Sequence, residues 1–287
     1  MAEPRDFKQI IRPNWCPGCG DFAVLKTLPE ALANLNLKPH QVATVTGIGC
    51  AGRIAGYLHT YGFHAIHGRA LPLAQGVKLA NRKLTVVAVG GDGDGFGIGL
   101  NHFLHAVRRN VDLTYIVIDN HIYGLTKGQA SPTSPAGFKS KTTPQGTLER
   151  SINPLQLALS AGIGYLAQGF TGNTHRLTEL IEGAIRHRGF SLVVVYSPCV
   201  TYNRINTLKW YRENLVDLDQ LPGYNPRNKL AALEACLTHD ELVQGLVYEA
   251  DAPDYQELWP GKKDQPLVLE DLTPSQQLLD DLMQEFY

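Results

Sequence analysis

Residues 85–129 read TVVAVGGDGDGFGIGLNHFLHAVRRNVDLTYIVIDNHIYGLTKGQ, and the order of residues in this stretch decides the fold. Thr85 to Val89 is an apolar, β-branched run of the kind that forms a strand buried on both faces. A glycine-rich turn follows, Gly90-Gly91-Asp92-Gly93-Asp94-Gly95. Leu100, Phe103, Leu104 and Val107 then recur at helical spacing, and a second β-run, Leu113 to Ile118, ends in Asp119-Asn120. Strand, turn, helix and strand make a βαβ unit, with an acid at the carboxyl end of one strand and an amide at the end of the next.

Two common nucleotide signatures fail on that turn. No register of Gly90 to Gly99 supplies G-x-G-x-x-G, and no Gly-Lys-Ser/Thr triplet occurs anywhere in the chain. What is present is Gly91-Asp92-Gly93, then 26 residues (94–119), then Asn120. That pattern resembles the thiamine diphosphate enzymes. Its chemistry is that of Mg²⁺, which takes hard oxygen ligands and shares them with phosphates. Asp92 and the Asn120 side-chain oxygen, with the Ile122 carbonyl in the family pattern, would provide three protein ligands. The glycines let backbone N–H groups approach a diphosphate.

Working outward, the same alternation continues on both sides. Val42 to Thr46 reads as a strand running into the turn 47–52, and Phe63 to Ile66 as a short strand ending at His67-Gly68-Arg69 before a helix, Ala70 to Arg82. Beyond a loop rich in Ser, Thr, Pro and Gly, a helix is expected over Leu155 to Ala161. A strand over Tyr165 to Gln168, a helix over Thr174 to His187 and a strand over Leu192 to Tyr196 follow. This is an α/β chain with an open, mostly parallel, doubly wound sheet of the thiamine diphosphate-binding type, whose ligands belong off the carboxyl ends of the strands. That domain is expected over residues 1–225. Residues 226–287 read as a C-terminal helical extension, with helices at Lys229 to Leu237 and Pro274 to Phe286, that could wrap a partner subunit.

The 287 residues carry 26 basic and 27 acidic side chains, a balance that argues against a nucleic-acid surface. The N-terminus MAEPRDFKQIIRPNW has no apolar core of a signal peptide, and no apolar run is long enough to span a bilayer. A cytoplasmic protein is expected, in which thiols stay reduced and cysteines are of more interest as metal ligands than as disulfides. Cys16 and Cys19 form a Cys-x-x-Cys ahead of a helix, Phe22 to Leu35. With no β-run before Cys16, the thioredoxin-like redox reading is discounted. Cys50 and Cys199 each follow a strand. Four thiolates at one sheet edge suit a [4Fe–4S] cluster or a zinc ion. Cys236, inside a helical stretch, reads as structural.

The pieces WCPGCGD, GIGCAGR, HGRALPLAQGVKLAN, GDGDGFGIG with Asn120, YGLTKGQASPTS and SPCVTYN together resemble the β subunit of 2-oxoacid:ferredoxin oxidoreductases, over Trp15 to about Arg212. The resemblance implies thiamine diphosphate, Mg²⁺ and a [4Fe–4S] cluster, with coenzyme A as co-substrate and ferredoxin as electron acceptor. It places the cluster on Cys16, Cys19, Cys50 and Cys199, which decides for iron–sulfur over zinc, and Mg²⁺ on Asp92, Asn120 and Ile122. It places thiamine diphosphate against Ile48, Gly49, Cys50, Ala51, His67, Gly91, Gly93, Asp94, Gly124 and Leu125. The carboxylate that activates the cofactor comes, in the family, from an α subunit, so an αβ or (αβ)2 assembly is implied. The overall match is most like the 2-oxoglutarate branch, with pyruvate or broad specificity as the alternative. Lys127 is the candidate partner for the second carboxylate of 2-oxoglutarate, and Arg53 and Arg69 are the other cations to consider. An electron-transfer scaffold with a vestigial thiamine site is opposed by the intact Asp92 and Asn120. A non-redox thiamine decarboxylase is opposed by the four placed cysteines.

Overall fold

The structure is a computed structural model that describes residues 2–260, 265–271 and 273–286. In chain order its elements are α1 (Asp21–Asn34), β1 (Val42–Thr46), β2 (Tyr61–His64), α2 (Ala70–Ala80), β3 (Thr85–Gly91), α3 (Leu100–Arg109), β4 (Leu113–Asp119) and α4 (Pro154–Ala161). Then come β5 (Tyr165–Phe170), α5 (Thr174–Arg186), β6 (Phe190–Tyr196), α6 (Leu208–Asn214), β7 (Val216–Asp217), α7 (Lys229–Thr238), β8 (Val243–Glu249) and α8 (Gln276–Gln284). The strands form one sheet in the order β2-β1-β3-β4-β6-β5-β8-β7. Every neighbouring pair is parallel except β5 with β8.

The central strands are apolar without alternation because both of their faces are covered. Val86 and Ala88 of β3, Tyr115 and Val117 of β4 and Leu192 and Val194 of β6 point into one core, with Phe103 of α3 and Leu155 of α4. Their alternates Val87, Val89, Ile116, Ile118, Val193 and Val195 point into the other, with Leu28 and Leu32 of α1 and Leu177 and Ile181 of α5. Period-two geometry sends successive side chains to opposite faces. The registers set Thr46 beside Val89, Gly91 beside Ile118 and Asp119 beside Tyr196. The carboxyl ends of β1, β3, β4 and β6 therefore open onto one edge.

The expected boundary at residue 226 does not divide the core. Strand β8, for which the sequence shows no clear pattern, lies antiparallel against β5. Ala232, Ala235 and Cys236 of α7 and Val243 and Val247 of β8 are buried in the same cluster as β4. Periodicity hides β8 because Gly245, at φ 131°, interrupts its alternation and Val247 is left unpaired opposite Leu166 and Ala167 of β5. Strand β2 begins two residues before its expected start, and all four of its residues are exposed, as a sheet-edge position allows. Helix α8 is capped by the Ser275 hydroxyl, which accepts from the Leu278 N–H, and it buries no residue. Residues 261–264 of the expected wrapping segment lie outside the described residues. No helix among the described residues is long and apolar enough to cross a membrane.

The junction of α7 and β8 carries a buried acid. Asp240 and Glu241 both have left-handed backbone, at φ 50° and 61°. Glu241 Oε1 accepts the Gln156 N–H at 3.1 Å, in the first turn of α4. Burial pushes Glu241 up to about 8. A raised carboxyl penalises the fold only once it ionises. The penalty is absent below the unfolded value, grows as pH rises towards 8, and is constant above. Glu241→Gln keeps the acceptor and removes the charge. The variant is expected to gain on the native protein by on the order of 1 kcal/mol per pH unit between about 5 and 8. Thermal melts across that series check it; a constant difference would refute it.

Candidate functional site

Three strands deliver the central residues of the site from their carboxyl ends. β1 ends in the turn 47–50, β3 in Asp92, and β4 in Asn120. Asp94, buried in the turn after β3, ties these ends together. Its Oδ1 accepts the Ile48 N–H at 2.9 Å and the Gly68 N–H at 2.8 Å, and His67 Nδ1 stands 2.9 Å from the same oxygen. The close approach demands glycine at residue 47, where a Cβ would come within 1.8 Å of Asp94 Oδ2. Gly49 takes φ 114°, and a side chain there would project into open space. Tyr123 donates its hydroxyl to the Gly93 carbonyl at 3.1 Å and closes the turn from the far side.

These elements surround a cavity of about 180 Å³. It is lined by residues 48–51, His67, residues 91–94, Asn120, Ile122, Gly124 and Leu125, so every residue proposed from the sequence for thiamine diphosphate or Mg²⁺ faces one space. Asp21, Ile118, Tyr123 and Thr126 complete the wall. Asn120 Oδ1 accepts the Ile122 N–H at 3.0 Å, and the Asn203 amide donates to the Asn120 carbonyl at 3.0 Å. Both contacts hold the strand-end loop that presents these oxygens.

The structure gives a part to Thr133, which lies in the YGLTKGQASPTS piece without a role assigned to it from the sequence. The Thr133 hydroxyl lies 2.8 Å from both Asp92 Oδ2 and Asp119 Oδ1. One hydroxyl proton satisfies one carboxylate at a time, so the second contact needs a proton on an acid or a cation close by. Burial first, and the neighbouring Asp119 charge second, push Asp92 upward; burial does the same to Asp119. His121, at φ 55°, gives its N–H to Asp119 Oδ1 at 3.0 Å. Burial holds its imidazole low.

The four cysteines at the sheet edge line a second cavity, of about 200 Å³. Cys16 is exposed, while Cys19, Cys50 and Cys199 are half-buried. Trp15, edge-on to Phe22 and Tyr57, donates its indole N–H to the Cys50 carbonyl at 2.9 Å and fixes the entry to the Cys-x-x-Cys turn. Gly124 separates the cavities; a Cβ there would lie 3.6 Å from Cys50 Sγ and 3.7 Å from Cys199 Sγ. Cys50 lines both spaces. Burial, with the Asp21 charge next, pushes its thiol up to about 12, and the same two causes raise Cys19. Asp21 is itself pushed up to about 7 by burial, and its Oδ2 has no hydrogen-bond partner. Among the described residues, no three His, Cys, Asp or Glu side chains close on the space of a single metal ion.

The three candidate substrate cations are dispersed. Arg53 faces the cysteine cavity and gives an N–H to Asn14 Oδ1 at 2.6 Å. Arg69 lies at the start of α2 and reaches the Ile98 carbonyl at 3.4 Å. Lys127 is exposed at the tip of the tight loop 123–129, at φ 77°. Left-handed backbone at a non-glycine residue marks a local constraint.

Comparison with known proteins places this geometry. Residues 45–195 match the family model for the thiamine pyrophosphate enzyme C-terminal TPP binding domain. Residues 199–264 match the model for the C-terminal part of the pyruvate ferredoxin oxidoreductase beta subunit. The chain is similar to subunit beta of 2-oxoacid:ferredoxin oxidoreductase 2 from Aeropyrum pernix, 45% identical over 253 residues, covering 85% of this chain and 82% of that one. It is also similar to the 2-oxoglutarate synthase subunit KorB of Archaeoglobus fulgidus, 43% identical over 230 residues, covering 77% and 86%. Among solved structures it superposes with TM-score 0.86 and 40% identity on a 2-oxoglutarate:ferredoxin oxidoreductase from Magnetococcus marinus with 2-oxoglutarate, coenzyme A and succinyl-CoA bound, covering 88% and 87%.

Proposed function

The chain belongs to the β subunits of the 2-oxoacid:ferredoxin oxidoreductases, and on that premise we propose that with an α subunit it converts 2-oxoglutarate and coenzyme A to succinyl-CoA and CO2, or runs the reverse carboxylation, in the cytoplasm. The observation that carries the choice of substrate is the likeness to a solved relative that binds 2-oxoglutarate, coenzyme A and succinyl-CoA. The relative named only for 2-oxoacids supports a broad-specificity reading as the second possibility, and the match of residues 199–264 to the pyruvate ferredoxin oxidoreductase model supports pyruvate within it.

The residues fit the implied groups. Asp92, Asn120 and Ile122 are hard oxygen donors on one cavity wall, and a divalent cation beside them would relieve the crowded Asp92 and Asp119 pair. The turn 48–51, His67, Gly91, Gly93, Asp94, Gly124 and Leu125 would hold thiamine diphosphate. Cys16, Cys19, Cys50 and Cys199 line one cavity and would supply the four thiolates of a [4Fe–4S] cluster. When bound, thiamine diphosphate supplies the electron sink for decarboxylation and the cluster accepts single electrons for ferredoxin.

This chain's own part is positional. Asp94 fixes the Ile48 and Gly68 amides, with the His67 ring beside it, on one side of the cavity, and Tyr123 pins the opposite turn. The activating glutamate is assigned, as the family resemblance implies, to the α subunit. Helix α8, with Leu278, Leu279, Leu282 and Met283 exposed, is assigned as an arm against that subunit.

Lys127 is assigned to the distal carboxylate of 2-oxoglutarate, carried there by the loop whose Gly124 and Leu125 line the cavity. Removing a charge-assisted hydrogen bond costs about 1.5–3 kcal/mol. In the αβ enzyme, Lys127→Ala is expected to lower kcat/KM for 2-oxoglutarate by about ten- to a hundredfold. Pyruvate, with no distal carboxylate, should be turned over as before. Steady-state kinetics on both oxoacids test the substrate and the residue together. Native enzyme that prefers pyruvate would select the second reading, and equal losses on both would remove Lys127 from the substrate site.

A further inference from the structure

The chain as a whole is almost neutral, but the rim of the cysteine cavity is not. Residues 8–18, 50–54, 124–128 and 198–204 contain Lys8, Arg12, Arg53, Lys127 and Arg204 and no aspartate or glutamate. None of these five cations is in an ion pair among the described residues. Four of them are exposed, and Arg53 is half-buried.

The four segments form one continuous rim. Lys8 bridges to Leu58, and the Gln9 N–H donates to the Tyr57 carbonyl at 3.1 Å, which lays the N-terminal segment along the turn after Cys50. Tyr57 donates its hydroxyl to Asn14 Oδ1 at 2.7 Å, the atom that also receives Arg53. Gly18 lies against Val200, where a Cβ would meet Cγ1 at 3.8 Å, and Gly128 lies against the Tyr202 ring. Between the cations stand exposed apolar side chains: Ile10 at 102%, Ile11 at 61% and Val200 at 45% relative exposure. Of the four thiols, Cys16 is the exposed one, so the cavity meets solvent on this rim.

Resting on the reading that these four thiols hold a [4Fe–4S] cluster, we infer that the rim is the docking face for a small acidic electron-carrier protein, the ferredoxin of the family name. With Lys127 kept for the substrate, the unpaired Lys8, Arg12, Arg53 and Arg204 around the site steer an anionic partner and fix its orientation. Exposed apolar side chains among them provide the dry centre of a small, short-lived interface. The exposed Cys16 corner gives the shortest route from the cavity to that partner.

The test uses the αβ holoenzyme carrying Arg12→Glu and Arg204→Glu, neither of which lines the thiamine or cysteine cavity. With a purified acidic ferredoxin at low ionic strength, kcat/KM is expected to fall by about tenfold or more, and the difference should shrink as salt screens it. Cluster absorption should be unchanged, and reduction of methyl viologen, a small dication, unchanged or faster. Ile11→Ser with Arg12→Gln is the milder second variant, with the same signs, should charge reversal prevent folding. Unchanged ferredoxin kinetics and salt slope would overturn the inference. So would a rise confined to the KM of coenzyme A, or dissociation of the α subunit on gel filtration, each of which gives the rim to another occupant. Native holoenzyme without cluster absorption would instead fail the cluster reading itself.

Discussion

Replacing Asp92 by alanine is expected to abolish Mg²⁺-dependent binding of thiamine diphosphate while leaving the fold and the brown chromophore of the proposed cluster in place. Asp92 would offer a carboxylate to the proposed metal, where Asn120 and Ile122 would offer only neutral oxygens. It is 2% exposed at the end of β3. A charged ligand lost from such a site should weaken cofactor affinity by at least about a hundredfold, each tenfold being about 1.4 kcal/mol. The fold should not suffer in proportion. Asp92 is crowded against Asp119 through one hydroxyl, and after its removal Thr133 still donates to Asp119. Removing one of two buried like charges relieves repulsion in the unliganded protein. Calorimetry gives the affinity, and thermal shift gives the linkage. The stabilisation of about 2.7 kcal/mol that a ligand confers at a hundred times its Kd should vanish in the variant. Retained tight binding would reduce the Gly91-Asp92-Gly93 turn to a structural loop.

The parts of this site that are legible in the sequence are those carried by strand ends. β3 and β4 are runs buried on both faces, so Thr85 to Gly91 and Leu113 to Asp119 announce themselves, and the residues after them fall at the sheet edge by topology alone. The same logic brings Cys50 and Cys199 to one edge. Thr133 is not legible. It lies in an aperiodic loop that folds back beneath the cavity, and nothing in Ser131-Pro132-Thr133-Ser134 states which carboxylates it will meet. Asp21 stands in the WCPGCGD motif without a role there, since only the packing of α1 turns it into the wall that Asp92 also lines. Strand β8 escapes a reading by period because Gly245 and the unpaired Val247 erase its alternation. The cationic rim is scattered over four segments and becomes a single feature only in three dimensions.

Cys199→Ala should then separate the two cofactors. Cys199 follows β6 and reaches the cysteine cavity without lining the thiamine cavity, whereas Cys50 lines both. Loss of the Cys199 thiol removes one of four proposed ligands from the side of the cavity that no other cysteine supplies, since Cys16 and Cys19 share the N-terminal turn and Cys50 follows β1. Iron and sulfide content should fall, the visible absorption and EPR signal should be lost or altered, and ferredoxin reduction should drop by at least about a hundredfold. The cost to the apo fold should stay within about 1 kcal/mol, because a half-buried thiol leaves little cavity behind. Thiamine diphosphate should bind by calorimetry as before. Cys50→Ala is the contrasting variant: its side chain stands between the two spaces, so both cluster content and thiamine affinity should change. Unaltered iron content and spectrum in Cys199→Ala would remove this residue from the cluster. Loss of thiamine binding along with the cluster would mean that the Gly124 partition between the cavities, with Cys199 Sγ within 3.7 Å of where its Cβ would stand, is itself held in place by the bound cluster.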